Sequence, residues 1–242
     1  MRFKDIHPWD LSPRQAINVQ HKLKQKIKLK RWSVKPKLIA GADVAFKRGS
    51  AVGAVVVLDY PKLKIIEQVR KSAKITYPYI PGLLTFREGP VLEKCLRVLK
   101  NEPDVIIFDG QGIAHPRNMG IATHIGILLD KPTIGCAKTH LFGEYKEPTK
   151  SRGSFSYLFD PVRSPRLRRG NRLWRFTSNG VDRKQKKIGA VLRTRDNVKP
   201  VYVSPGYKID FESSLETVLL CTKKYRLPEP LRLAHQLTQR GI

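Results

Sequence analysis

Residues 104–118 read DVIIFDGQGIAHPRN. Val105–Phe108 is a four-residue apolar, β-prone run between Pro103 and Gly110. A run that short, with breakers on both sides, reads as a buried strand rather than a helix. Asp109 stands at its carboxyl end, followed by a loop in which Gly110 and Gly112 let the backbone approach a ligand closely. A carboxylate among apolar residues costs free energy unless its desolvation is offset. A hard divalent cation such as Mg²⁺, which prefers carboxylate and water oxygens, offsets it. The glycine spacing is not that of a dinucleotide-binding loop.

Two further acids stand out, of which Asp43 shares the apolar, β-prone setting. Asp43 lies in LIAGADVAF, residues 38–46, and Glu88 lies in PYIPGLLTFREGP, residues 78–90. Residues 38–46, 51–59 and 62–69 read as three strands with short links at Gly49 and Pro61, which predicts an antiparallel meander. Glu88–Lys100 reads as a helix with Leu92, Cys95, Leu96 and Leu99 on one side. After the strand ending at Asp109 come a helix over residues 118–129 and a strand over 132–136 that stops short of Lys138. The order β-β-β-α-β-α-β predicts an α/β fold: a mixed sheet flanked by helices. Asp43 and Asp109 meet only if the first and fourth strands are neighbours, which the order alone leaves open.

An earlier helix begins at Ser12-Pro13-Arg14-Gln15, a capping box with Pro at the first helical position. No acid occurs between Leu11 and Ala42, so the lysines at 22, 24, 26, 28 and 30 make a positive arm or face. Residues 151–187 hold eleven Lys/Arg against two acids, with Phe155, Tyr157, Phe159, Trp174 and Phe176 interleaved. This basic segment reads as a loop-rich insertion and as a nucleic-acid contact surface, two readings that are compatible. Neutralising Arg166, Arg168 and Arg169 is expected to weaken binding and flatten its salt dependence. Residues 188–194 and 200–204 return to strand-like sequence, and a final helix is expected from about Asp210 to Lys224.

The 242 residues carry a formal net charge of +27. Such a charge favours an anionic partner, with nucleic acid ahead of an acidic membrane surface or an acidic protein; the bland alternative is a solvated basic surface. Cys95, Cys136 and Cys221 are widely spaced in apolar settings, which suits buried free thiols in a reducing compartment and excludes a zinc knuckle. No apolar run is long enough to span a membrane and the N-terminus lacks a signal-peptide pattern. The expectation is a soluble, cytoplasmic monomer.

The blocks GADVAF, YPYIPGLLTFREGP, DGQGIAHPR, IGCAKTHLFG and IGAVLRTR, in this order, resemble the endonuclease V family. The resemblance covers nearly the whole chain as a single domain, residues 1–242, with the basic insertion at about 151–187. It implies a ribonuclease-H-like fold and Mg²⁺-dependent (or Mn²⁺-dependent) cleavage of DNA or RNA one nucleotide 3′ of deoxyinosine or inosine. By the same resemblance Asp43, Glu88 and Asp109 are the metal-holding catalytic acids. Tyr79 is the wedge that separates the strands, Gly82, Gly110 and Gly112 shape the pocket for the displaced base, and Lys138 lies near the scissile phosphate. His115 is expected to bond a phosphate or to help handle a proton. One position departs: Tyr207, in SPGYKID, stands where the family commonly has a histidine, expected beside the metal. A phenol is a poor Mg²⁺ ligand, so a catalytically weakened nucleic-acid-binding relative is the alternative. A basic ribonucleoprotein component leaves the ordered acids unexplained, and a glycosylase has no use for metal-holding carboxylates.

Overall fold

The computed structural model describes residues 1–33, 35–47, 49–161 and 186–240. Arg166, Arg168, Arg169, Trp174 and Phe176 therefore lie outside the described residues. The elements are α1 (Pro13–Lys24), β1 (Leu38–Lys47), β2 (Ser50–Asp59), β3 (Ile65–Lys74), α2 (Leu84–Arg97), β4 (Val105–Phe108), α3 (Ile121–Leu129), β5 (Thr133–Ala137), β6 (Phe155–Phe159), β7 (Lys187–Leu192), β8 (Val201–Tyr207), α4 (Phe211–Leu220) and α5 (Glu229–Gln239).

The strands form one mixed sheet in the order β3-β2-β1-β4-β5-β8-β7-β6. β1, β2 and β3 pair antiparallel as a meander, whereas β4 and β5 run parallel to β1. The neighbour relation that the element order left open is thus settled: β1 pairs with β4, Ala42 opposite Phe108. One residue further along each strand stand Asp43 and Asp109, joined at the backbone by the Asp109 N–H donating to the Ala42 carbonyl at 3.0 Å.

Two apolar layers sandwich the sheet, because alternate residues of a strand point to opposite faces. Ala40, Ala42, Ile106 and Phe108 pack with Leu92, Cys95 and Leu96 of α2 and with Ile125 of α3. Ile39, Val56, Ile107 and Ile134 pack with Leu215 and Val218 of α4 and with Leu231 and Ala234 of α5. Ser12 caps α1 in the expected capping box with Gln15. Cys95, Cys136 and Cys221 are free and buried.

Three expectations change. The helix carrying Glu88 starts at Leu84, so Glu88 sits inside α2 rather than opening it. Part of the segment read as loop-rich, Phe155–Phe159, is strand β6, paired with β7; its mostly partial exposure suits the outermost strand of a sheet, where propensity is easily mistaken for loop. The helix expected to be last is followed by α5, whose Leu231, Ala234, Leu237 and Thr238 make a buried stripe. Its start, Pro228-Glu229-Pro230, matches the preference for Pro in the first helical turn, a signal legible in the sequence. Among the described residues no helix is long and apolar enough to cross a membrane.

Candidate active site

β1 and β4 deliver Asp43 and Asp109 to the same end of the sheet, and α2 brings Glu88 to them from the opposite layer. Asp43 and Glu88 are buried, 7% and 8% exposed, which makes their charge expensive. Burial, then Asp43, then Asp109 hold the Glu88 carboxyl well above the usual carboxylate range, with Arg87 opposing. Burial and the neighbouring Asp43 likewise raise Asp109, against the pull of Lys138. Lys138, just beyond β5, makes an ion pair with Asp109.

A fourth group completes the cluster, and the sequence reading missed it. His235 on α5 donates from Nδ1 to Asp43 Oδ2 at 2.9 Å, and Thr238 Oγ1 lies 3.3 Å from the same oxygen. One ligand atom each from Asp43, Asp109 and His235 lies within 4.8 Å of the others. His235 lies 192 residues from Asp43 in the chain, so no local motif links the two. Two crowded aspartates, a raised buried glutamate and an imidazole form a donor set that fits a divalent cation, because a positive ion relieves the mutual repulsion that lifts the carboxyls.

Tyr207 is not part of this set. It ends β8, paired with Thr133 at the start of β5, whereas Lys138 follows the end of β5. Its ring packs with Leu23, Met119 and Ile127, and its hydroxyl donates to Asp130 at 3.1 Å. The expectation that position 207 lies beside the metal is therefore corrected: the residue stands at the opposite end of the sheet. The histidine beside the acids is His235, contributed by a helix the sequence reading did not include.

Tyr79 is exposed, 69% of its surface open to solvent. Gly82, in the left-handed region at φ +80°, ends the loop that carries it. The Gly82 carbonyl accepts three donors: Arg117 Nη2 at 2.7 Å, Gln20 Nε2 at 2.9 Å and His115 Nε2 at 3.1 Å. The loop of Tyr79 is thereby tied to the loop that follows Asp109, so two of the predicted pocket segments do meet. Gly110 and Gly112 lie in that second loop; the Gly112 N–H donates to Ser204 Oγ at 2.8 Å. His115 Nδ1 accepts from the Arg117 N–H at 3.1 Å. Both ring nitrogens are thus engaged; burial first and the nearby Arg117 cation second pull the pKa down to about 4, against the bond to Gly82. Through these bonds His115 braces the two loops.

An α/β sheet of this order, with carboxylates gathered where its central parallel strands end, defines a ribonuclease-H-like protein with a hydrolytic type of site. The endonuclease V family model matches residues 21–236. The chain is 44% identical to an endonuclease V of Petrotoga mobilis over 99% of this chain and 98% of that protein. Its fold is similar to the crystal structure of endonuclease V from Streptomyces avermitilis, with a TM-score of 0.83, 33% identity, and coverage of 99% and 96% of the two chains. It is also similar to Ciona intestinalis endonuclease V (TM-score 0.73, 28% identity, coverage 95% and 98%), a structure in complex with a 23mer DNA containing an inosine followed by a ribo-adenosine. The chain belongs to the endonuclease V family and is a nuclease of that type.

Proposed function

We propose that this protein is a divalent-metal-dependent endonuclease that cuts the phosphodiester bond one nucleotide 3′ of deoxyinosine or inosine, in DNA or RNA, as a step of nucleic-acid repair. The observation that carries this reading is the meeting of Asp43, Asp109, Glu88, His235 and Lys138 at one end of the sheet. The inosine-containing DNA held by the Ciona relative supports the substrate class.

In this reading Asp43 and Asp109 hold the metal, Mg²⁺ by preference with Mn²⁺ as a substitute, and Glu88 holds a second ion or orients water. Such a cation, when bound, supplies charge stabilisation at the reacting phosphate and a more acidic water. His235 fixes the orientation of the Asp43 carboxylate through their 2.9 Å hydrogen bond. Lys138 favours the ionised form of Asp109 against burial and Asp43 and offsets charge that develops on the phosphate. Tyr79 fills the space left in the base stack, and the Gly82 and Gly110–Gly112 loops accept the displaced base. His115 acts by holding those loops together.

The alternative of a weakened nucleic-acid-binding relative rests on Tyr207 and on the high charge; the packing of Tyr207 away from the acids favours the active reading. The test is strand cleavage of matched single-stranded DNA and RNA oligonucleotides, with and without one inosine, in Mg²⁺ and in EDTA. A Mg²⁺-dependent nick one nucleotide 3′ of inosine, lost in Asp43→Ala and in Asp109→Ala, is expected. Nicking that persists in both purified variants would assign the activity to another site.

A further inference from the structure

The end of the sheet opposite the acids carries a feature the proposed reaction does not use. Between α1 and β1 the chain runs as an irregular strap, of which residues 25–33 and 35–37 are described. Ile27 packs against Leu23 and Met119, Trp32 packs on the α4/α5 layer, and the Lys28 carbonyl accepts from the Lys208 N–H at 2.7 Å. At its far end the Lys37 and Leu38 N–H groups donate to Asp104 at 2.7 and 3.0 Å, just before β4. The strap is therefore anchored along its length rather than loosely tethered.

Its cations all face solvent. Lys24, Lys26, Lys28, Lys30, Arg31 and Lys35 are exposed, and none makes an ion pair among the described residues. The acids that face it from other elements are engaged: Asp104 by the strap's own backbone, Asp130 by Lys4 at 3.2 Å and Lys208 at 2.8 Å. Exposed, unneutralised cations on an anchored backbone are the electrostatic form of a phosphate-backbone contact. Surface lysines without a role are normally interspersed with acids, whereas here the chain has no acid from residue 11 to residue 42.

Geometry separates this row from the chemistry. Asp104, beside the strap, and Asp109, in the acid cluster, bracket the four residues of β4. Five residues of strand span about 16 Å. We propose that the strap is a second nucleic-acid contact, which grips the substrate backbone away from the cut and lengthens the footprint beyond the inosine. The inference rests on the proposed substrate class, and it concerns sequence-independent affinity, not base choice.

The test compares Lys24/Lys26/Lys28/Lys30→Gln with a control of equal charge loss on the outer strand and the turn before it, Lys62/Lys64/Arg70/Lys74→Gln. Each protein is titrated in EDTA, so that binding is read without turnover, using single-stranded inosine DNA of about seven or about thirty nucleotides, against salt. The strap variant is expected to bind the long strand roughly ten-fold or more weaker at about 0.1 M salt and to lower its log–log salt slope by roughly 0.7 for each phosphate it no longer neutralises. Its affinity for the short strand, and the control's affinity for both, should stay near wild type. Equal losses from both quartets, or equal losses on both lengths, would reduce the strap to bulk charge and overturn the proposal. Lys28→Glu/Lys30→Glu, at exposed positions, supplies a second variant and should enlarge the long-strand defect. Mg²⁺-dependent cleavage of the short strand, followed separately, tests the parent reading: its absence in wild type sinks that reading alone, since the length dependence of binding still decides the strap.

Discussion

Gly41→Ala should damage catalysis through a helix that does not itself contain the substituted residue. Gly41 and Asp43 point to the same face of β1, and the start of α5 rests directly on Gly41. A Cβ there would lie 2.1 Å from both the carbonyl carbon and the oxygen of Pro230, and 2.6 Å from the Leu231 nitrogen. These are backbone atoms, so no rotamer change relieves the clash. Ordinary contact begins at 3.4 Å. The shortfall against 2.1 Å is about 1.3 Å, and the first turn of α5 must retreat by nearly that much. His235 is five residues beyond Pro230 on the same helix. Carried outward, its 2.9 Å bond to Asp43 stretches toward about 4 Å, beyond hydrogen-bonding range. Overpacking of this kind costs about 1–3 kcal/mol of stability. A misplacement near 1 Å of a positioning group costs on the order of 10²-fold in rate. The assay is single-turnover nicking of an inosine oligonucleotide at saturating Mg²⁺, alongside thermal melting, for Gly41→Ala, His235→Ala and the double variant. If displacement of His235 is the cause, the double variant should be scarcely slower than His235→Ala, because both changes remove the same interaction. A folded Gly41→Ala with wild-type turnover, or a double variant in which the two rate losses multiply, would refute the reasoning.

Three further outcomes can be checked. Lys138 holds the Asp109 carboxyl down against burial and Asp43; in Lys138→Ala that carboxyl rises further, so activity needing ionised Asp109 should fail at a higher pH as pH drops, read as an upward shift of the acidic limb of the pH–rate profile. His115 is neutral in the fold, with its pKa near 4 against an ordinary 6.5. The unfolded chain takes up this proton first, so stability is expected to fall between pH 6.5 and about 4, by about 3 kcal/mol for this group alone. In His115→Gln the melting temperature should depend less steeply on pH across that window, and an unchanged slope would argue that the ring is charged in the fold. Tyr207→Phe removes only the 3.1 Å bond to Asp130, costing about 1 kcal/mol of stability, while turnover is expected to stay within about two-fold and Tyr207→His to bring no gain; a large change in turnover in either variant would place residue 207 in the reaction after all.

Much of the scaffold was written locally. The β-prone runs of β1 and β2, the apolar run Val105–Phe108 and the capping box at Ser12 each depend on neighbours within a few residues, and all of them appear where the sequence puts them. Asp43 and Asp109 were legible for the same reason, since a carboxylate in or ending a β-prone run conflicts with its surroundings and calls for a compensating partner; Glu88 was matched through the motif resemblance. Where the local signal was weak, the reading slipped: β6 is a short, partly exposed strand at the outer edge of the sheet, and α5 follows the Asp210-capped α4 that was read as the last helix. The assignment of Tyr207 to the metal failed differently. It was carried over from a motif, and strand direction, which no motif contains, places that residue at the far end of β8 from Lys138.

The sequence by itself determined most of the strands and helices and the charge, and it singled out three carboxylates as candidates, because those properties follow from residue chemistry and from spacings of a few positions. Only the tertiary structure decided that β1 lies against β4, that α2 lowers Glu88 onto Asp43 and Asp109, and that His235 reaches Asp43 from 192 residues away. Those relations depend on which buried faces pack together, and on the close approach of α5 to Gly41 that the missing side chain permits. Packing of that kind is a property of the whole chain, and no window of sequence contains it.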